Sequence, residues 1–219
     1  MSIYHAYDIR GEFPKELDSN TAYKIARAYV LFLKPKTVIL GRDARLSSPS
    51  LHKAIVKGLV YQGATVIDIG LCTTPMFYFA IAYYNYNCGA MITASHLTKQ
   101  LKRIKLCREK SIPISYESGI NKIEKLVQEN NFSNVEKGKV VNKNILGDYT
   151  NFILKSCKRT NLKVVVDAGN MMGAIDGKIL SKIAKVIPMF FNIDPTFPNR
   201  GIDTSKEENL IKLRHEVIK

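Results

Sequence analysis

The fold is decided by residues 36–69, which read KTVILGRDARLSSPSLHKAIVKGLVYQGATVIDI. An apolar run opens this stretch and another closes it, and both are rich in the β-branched residues that favour strands. Between them, apolar residues recur from Leu51 to Leu59 with the spacing of one helix face. Ser48 and Pro49 mark the start of this helix, with the serine as its N-cap. Two strands joined through a helix predict a right-handed crossover and a parallel sheet.

The same alternation of strands and helices continues on both sides of this stretch. One helix is predicted before it and another after it, and residues 89–93 supply a third strand. A polar segment then interrupts the pattern before it restarts. We therefore predict an α/β domain over residues 1–145 and an incomplete second domain over residues 146–219. The second domain is predicted to begin with a connecting helix over residues 148–158. Two strands, over residues 162–167 and 186–191, and two further helices, over residues 174–185 and 205–219, are predicted to follow it.

The composition indicates a packed globular protein with anionic partners. The chain has 219 residues, of which 46% are hydrophobic, and a formal net charge of +14. This charge favours nucleic acid, an acidic surface or phosphorylated metabolites, although a biased genome composition explains it without any partner. No stretch approaches the roughly 20 apolar residues that span a bilayer, so we expect a soluble, cytoplasmic protein without a membrane partner. The four cysteines lie far apart, which favours reduced thiols over a disulfide framework.

Ser95 and His96 follow the strand at residues 89–93, where it ends. In parallel sheets, ligand-binding loops gather at the carboxyl ends of the strands. Serine is a weak nucleophile unless a neighbouring group activates it, and adjacent side chains on an extended segment point to opposite faces. The residues alone therefore leave two interpretations open, a reacting hydroxyl or a polar strand end.

Basic residues flank several predicted turns, where they suit a phosphate clamp or form a solvated cationic surface. They are Arg10, Arg42, Arg45, Lys99, Lys102, Arg103 and Lys105. The glycine-bearing turn Asp167–Gly173 would let backbone amides approach an anion, but it matches neither the dinucleotide-binding nor the P-loop motif. A plain strand-to-helix turn is therefore favoured there. Asp43, beside two arginines, is interpreted as an ion-pair partner rather than a metal ligand.

Several short motifs occur in the order found in one enzyme family. They are Ala6–Gly11 (AYDIRG), Gly41–Ser48 (GRDARLSS), Thr73–Pro75 (TTP), Gly89–His96 (GAMITASH), Val165–Asn170 (VVDAGN), Asp194–Asn199 (DPTFPN) and Glu207–Leu210 (EENL). With these motifs the chain resembles the N-terminal part of the α-D-phosphohexomutases, the phosphomannomutases and phosphoglucomutases. The resemblance covers nearly the whole chain and implies an α/β/α sandwich domain followed by a partial domain of similar type.

This resemblance implies a reversible phosphoryl shift between the 1- and 6-positions of mannose or glucose phosphate. It identifies Ser95 as the residue that carries the phosphoryl group, with a hexose 1,6-bisphosphate as intermediate and activator. His96 and Lys105 fall on family positions near the reacting oxygens, and Arg10 falls on the arginine of the first motif. A positioned lysine or histidine relays a proton in such a reaction, while fixed cations offset charge on the transferring group.

The resemblance further assigns substrate-phosphate binding to Tyr7 and Arg42, and Mg²⁺ binding to Ser95 through its phosphate. The family's Asp-Gly-Asp-x-Asp-Arg loop, which supplies the other magnesium ligands, is expected beyond Lys219, as are the loops that recognise the sugar and its phosphate. Residues 97–105 keep only the final lysine of the family's loop after the Ser-His pair. Since removal of one preorganised donor costs about 10²–10³ in rate, we expect this chain alone to be inactive.

Three hypotheses for the function remain open at this point. In the first, the chain is part of a phosphohexomutase whose missing domains come from a second chain. In the second, it is a catalytically inactive, truncated remnant of such an enzyme. In the third, it is a basic module that binds nucleic acid, which is the least favoured because no helix-turn-helix, RRM or zinc signature is present. The preferred hexose and the oligomeric state are not predicted.

Overall fold

The computed structural model describes residues 2–94 and 100–219, which form a mixed α/β fold with a six-stranded and a two-stranded sheet. The strands are β1 (Ile9–Glu12), β2 (Thr37–Arg42), β3 (Thr65–Leu71), β4 (Cys88–Thr93), β5 (Leu101–Arg108), β6 (Val140–Asn142), β7 (Lys163–Asp167) and β8 (Lys185–Met189). The α-helices are α1 (Ser19–Leu33), α2 (Ser48–Tyr61), α3 (Thr74–Tyr83), α4 (Asn121–Glu129), α5 (Leu146–Ser156), α6 (Gly173–Leu180) and α7 (Ile211–Ile218).

The central strands of the large sheet run parallel, which confirms the prediction from the sequence. The strand order is β1-β5-β4-β2-β3-β6, and β2 is parallel to both β3 and β4. Helix α2 connects β2 to β3, and α3 connects β3 to β4. The carboxyl ends of β2 and β4 therefore lie at the same edge of the sheet, where loops that bind ligands gather in such folds.

Strand β5 departs from the predicted pattern because it pairs antiparallel with both β4 and β1. Its sequence, LKRIKLCR, alternates basic and apolar residues and lacks the continuous apolar run of a strand that is buried on both faces. Ile104 and Leu106 nevertheless lie in the core. The sequence does not predict this strand, because its basic residues resemble those of a solvated segment.

Two apolar layers cover the two faces of the large sheet. On one face the layer contains residues of α1, α2 and α4, and on the other it contains residues of α3, α5 and α6. Tyr29 of α1 is fully buried in the first layer. Its hydroxyl lies 3.0 Å from the carbonyl oxygen of Gly89 and 2.5 Å from that of Cys107. One side chain therefore ties α1 to both β4 and β5.

The second, parallel sheet consists of β7 and β8, and its helix α6 packs toward α3. Asp176 of α6 accepts hydrogen bonds from Thr73 Oγ1 and from the Tyr149 hydroxyl, at 3.4 Å each. Burial raises the pKa of this carboxyl, and the two hydrogen bonds offset part of that rise. The helices that follow residue 145 share the apolar layer of α3, so this layer does not mark a division between two domains. The domain boundary at residue 145 therefore stays a prediction.

Several helix ends differ from the prediction. Ser48 is the first residue of α2 rather than its N-cap, because its hydroxyl donates to the Asp43 carboxylate, and Ser47 precedes the helix without a capping bond. Helix α6 ends at Leu180 rather than near residue 185, since the chain turns there before β8 begins. Helix α7 also starts later than predicted, after a turn of 3₁₀ helix.

In the part of the chain that the structure describes, no helix combines the length and the apolar character that a membrane crossing needs. The cysteines are free thiols, and Cys72, Cys88 and Cys107 are buried. Burial raises the pKa of each of these three thiols to about 12. They therefore stay protonated at neutral pH and act as small apolar groups.

The close approach of α1 and α2 predicts a large stability effect at Gly58. A Cβ atom there would lie 2.4 Å from the Tyr23 carbonyl oxygen and 2.7 Å from Ala26 Cβ. We expect Gly58→Leu to lower the free energy of unfolding by about 3 kcal/mol, because the two helices would have to separate. Urea denaturation measures this change.

Gly147→Ala is the matched control, since nothing lies within 4 Å of a Cβ atom at this exposed position in α5. This variant should raise the free energy of unfolding by up to about 1 kcal/mol through helix propensity. Wild-type stability in Gly58→Leu would contradict the packing of α1 on α2.

Candidate active site

The predicted nucleophile Ser95 and its neighbour His96 lie outside the described residues. The structure describes the chain up to Ala94, which is buried, and again from Gln100. The candidate site is therefore built from the strands and loops that surround the carboxyl end of β4.

A row of polar residues crosses the sheet at this end of β4. Thr93, the last residue of β4, stands opposite Arg103 of β5, which stands opposite Arg10 of β1. The buried carboxylate of Asp8 lies between the two arginines, 2.9 Å from Arg10 Nε and 2.7 Å from Arg103 Nε. Two guanidinium groups thus face one carboxylate, and this cationic row carries a net positive charge. Fixed cations of this kind suit a phosphoryl group.

Lys105 belongs to the same face of the sheet as the cationic row. It stands opposite Met91 of β4, whose side chain lies in the layer under α3. It is two residues farther along β5 than Arg103, so the two side chains start about 7 Å apart. The structure therefore brings Arg10 and Lys105, both predicted from the sequence, to one face of the sheet beside the end of β4.

Arg42 ends β2 and points to the opposite face of the sheet. It stands beside Ile92 of β4, whose side chain lies in the layer under α1 and α2. There its charge acts on Asp68, which also lies 3.0 Å from His52 Nε2. Burial works to raise the pKa of Asp68, but the contact with His52, the Gly70 amide and the charge of Arg42 together lower it.

Tyr7 is 72% exposed and lines a separate cavity together with His5 and Tyr116. Its ring is therefore accessible to a ligand from solvent. The structure does not bring Tyr7 and Arg42 together, and their predicted roles in phosphate binding stay predictions.

A cavity of about 360 Å³ opens at the same edge, between the large sheet and the loops that follow β7 and β8. Its lining includes Asp43, Thr93, Gly169, Met172, Phe197 and Arg200. The carboxylate of Asp43 accepts a hydrogen bond of 3.1 Å from the Arg45 amide and lies 3.7 Å from Arg45 Nε. Asp43 is thus an ion-pair partner that fixes the β2–α2 loop, as the sequence predicted.

The turn after β7 is held by polar contacts to the loop after β8. Arg200 Nε donates to Asp167 Oδ2 at 2.7 Å, and the Gly169 amide donates to Oδ1 of the same carboxylate at 2.8 Å. Gly169 has a φ of +53°, and a Cβ atom there would lie 2.6 Å from Arg200 Nη2, so only glycine fits. The side chain of Asn170 is buried and accepts from Asn199 Nδ2 at 2.7 Å. These contacts support a structural turn, since the Gly169 amide is already bonded to a carboxylate.

Among residues 2–94 and 100–219, no three His, Cys, Asp or Glu side chains converge closely enough to hold a metal ion. The described residues therefore do not form the magnesium site that the resemblance implies.

The sequence alone does not identify Asp8 and Arg200 as members of buried ion pairs. Asp8 belongs to a recognised motif, but only the antiparallel register of β1 and β5 places Arg103 beside it. Arg200 lies 33 residues from Asp167 in the sequence, and no local pattern connects them. Both contacts depend on tertiary structure that periodicity does not encode.

Comparison with known proteins gives consistent results. Residues 1–134 match the family model described as phosphoglucomutase/phosphomannomutase, alpha/beta/alpha domain I. A phosphomannomutase from Escherichia coli is 38% identical over an alignment of 192 residues that covers 84% of this chain and 41% of that protein. A phosphomannomutase from Vibrio cholerae is 36% identical over an alignment of 225 residues that covers 99% of this chain and 45% of that protein.

A solved structure extends this similarity to the fold. The phosphoglucomutase/phosphomannomutase family protein from Burkholderia thailandensis superposes with a TM-score of 0.85 at 29% identity, over 98% of this chain and 49% of that one. The chain thus spans a little under half the length of these proteins.

The contacts of Asp8 predict that it stabilises the cationic row. Asp8→Asn should lower the free energy of unfolding by about 2 kcal/mol, because Arg10 would lose a charged hydrogen-bond acceptor and Arg103 would lose its ion-pair partner. Glu129→Gln is the control, since Glu129 forms an exposed pair with Lys125 at 3.9 Å. This control should change the free energy by less than about 0.5 kcal/mol. Equal effects in urea denaturation would show that Asp8 does not hold the two arginines.

Proposed function

Because this chain belongs to the phosphoglucomutase/phosphomannomutase family, we propose that it takes part in reversible phosphoryl transfer between the 1- and 6-positions of a hexose phosphate. The names of its relatives point to mannose or glucose phosphate as the substrate. Since the chain spans about half of those relatives, we assign to it the phosphoryl-carrying part of the reaction rather than the complete activity.

The observation that carries this proposal is the cationic row beside the end of β4. Thr93 ends this strand, Ser95 follows two residues later in the sequence, and Arg10 and Arg103 belong to the same row as Thr93. A phosphoserine carries about two negative charges at neutral pH, and arginine is well suited to bind phosphate oxygens through two parallel hydrogen bonds. Asp8 cancels one of the two positive charges and leaves the other for the phosphate.

In the proposed step, the Ser95 hydroxyl oxygen attacks a phosphorus atom of a hexose bisphosphate, and the bond from that phosphorus to the sugar oxygen breaks. The hydroxyl proton passes to a positioned base, for which His96 and Lys105 are the candidates, and the sugar oxygen takes up a proton as it leaves. Arg10 offsets negative charge on the transferring group. Return of the phosphoryl group to the other position of the sugar completes the shift.

We propose that the remaining groups come from outside the described residues. A second chain with the domains that complete the relatives is the proposed partner, and it would supply carboxylates for Mg²⁺ in addition to the Ser95 phosphate. Tyr7 and Arg42 are the proposed substrate-phosphate contacts of this chain. The free cysteines support a cytoplasmic location.

A catalytically inactive remnant of such an enzyme is the second candidate. It is favoured by the loop after His96, which keeps none of the Asn, Pro, Tyr and Gly residues of the family there. Leu97 has no side-chain amide, unlike asparagine, and Thr98 does not restrict φ as proline would. Phosphorylation of Ser95 distinguishes the two candidates.

Incubation with glucose 1,6-bisphosphate and Mg²⁺ should add one phosphate group, seen as an increase in the intact mass of the protein. Ser95→Ala should abolish this increase, because it removes the accepting hydroxyl. Ser50→Ala, which changes an exposed serine in α2, should retain it. No added phosphate on the wild-type chain, alone or mixed with a polypeptide that carries the remaining domains, would favour the inactive remnant.

The role of Arg10 predicts a change in the rate of this phosphorylation. Arg10→Gln should slow the initial rate by about 10²-fold, because one fixed donor toward the transferring group is lost. Arg214→Gln, an exposed change in α7, should leave the rate unchanged. Time-resolved mass spectrometry measures both rates, and equal rates would remove Arg10 from the mechanism.

A further inference from the structure

A second cavity, of about 300 Å³, lies beside the loop between β2 and α2. Its polar lining consists of Arg45, Ser47, Gln100 and Lys102, and Phe13 and Leu46 contribute apolar walls. None of the described residues that line it is acidic. A cavity with several hydrogen-bond donors and no carboxylate is suited to an anion.

Lys102 is the unusual residue of this cavity. It alternates along β5 with Ile104 and Leu106, so its side chain leaves the sheet on the apolar face that α1 and α2 cover. It is 2% exposed, and within the described residues its ammonium group makes no hydrogen bond and no ion pair. Burying a charge without a partner is costly, so such a group is normally paired. An anionic ligand would supply the partner that the described residues do not.

Two further donors line the same cavity. Ser47 Oγ is buried and has no hydrogen-bond partner among the described residues. Ser47 also directly precedes α2, a helix of 14 residues whose N-terminus adds partial positive charge. The side chain of Arg45 is 3% exposed. Asp43 balances the charge of Arg45. The positive charge of Lys102 therefore has no carboxylate of its own among the described residues.

We propose that this cavity binds the phosphate group of a phosphate monoester, with Lys102 as the main ligand and Ser47 and Arg45 as further donors. A phosphate presents oxygens in several directions, which matches donors that come from β5, from the β2–α2 loop and from the start of α2. The apolar walls suit the organic part of the ester. Because Lys102 and Lys105 start from opposite faces of β5, this site is distinct from the cationic row beside β4.

The environment of Lys102 gives the site a pH dependence. Burial and then repulsion by Arg45 lower the pKa of Lys102 to about 8, although Asp43 works in the opposite direction. Lys102 is charged below this pKa and neutral above it. Anion binding should therefore weaken at a pH where an ordinary lysine, with a pKa of about 10.4, still holds its proton.

Sulfate is the probe for the test, since it stays a dianion throughout this pH range. Backbone amide signals of Leu46 and Ser47, followed by NMR during a sulfate titration, report on this cavity. We expect saturable shifts near pH 7 and about tenfold weaker binding near pH 9. At the lower pH, Lys102→Met should weaken binding at least about tenfold, whereas Lys53→Met, an exposed change in α2, should not weaken it.

Two further variants keep the proposal testable if Lys102→Met does not fold. Lys102→Arg should bind sulfate equally well near both pH values, and Ser47→Ala should weaken binding several-fold. Phenyl phosphate should bind more tightly than inorganic phosphate because of the apolar walls. Wild-type sulfate affinity in Lys102→Met, or shifts confined to the amides of Arg10 and Arg103, would overturn the proposal. The titration contains no hexose phosphate, so its result does not depend on the proposed phosphoryl transfer.

Discussion

The antiparallel insertion of β5 between β4 and β1 is the constraint on which the candidate site depends. It places residues from distant parts of the chain in one row, so that Arg10 and Arg103 meet beside the end of β4. A slip of one residue in this pairing would turn every side chain of β5 to the other face of the sheet. Lys105 would then enter the core under α1, and Lys102 would leave it. The Tyr29 hydroxyl, which contacts carbonyl oxygens on both β4 and β5, helps to fix the register.

Much of the fold is predictable from the sequence because its central elements carry simple signals. The parallel strands are continuous apolar runs, and the helices between them show apolar residues on one face and capping or proline residues at their starts. β5 has no such signal, because its basic residues alternate with apolar ones and only the neighbouring strands decide which face is buried. The candidate site is likewise only partly predictable from the sequence. The motifs identify Arg10 and Lys105, but the partnership of Asp8 with Arg103 exists only once the strands have paired.

The same constraint shapes the distribution of charge. In a chain with a net charge of +14, buried arginines need carboxylates, and Asp8, Asp43 and Asp167 each lie beside at least one. These three aspartates stand near strand ends, where loops converge and the backbone must be held in place. Among the described residues, Lys102 forms no ion pair of its own, although Asp43 acts on its charge from a distance. A buried cation in this situation is suited to bind an anion.

The outer strands of both sheets are poorly suited to recruit another chain. β1 has four residues and β6 only three, so each end of the large sheet offers few unpaired backbone groups. In the small sheet, β8 contains Pro188, which has no amide proton to donate, and β7 begins with a lysine. The outer strands of both sheets thus disfavour pairing with a strand of another molecule, which is the first event in many forms of aggregation. The edges of both sheets therefore offer little backbone with which a second copy of this chain could pair.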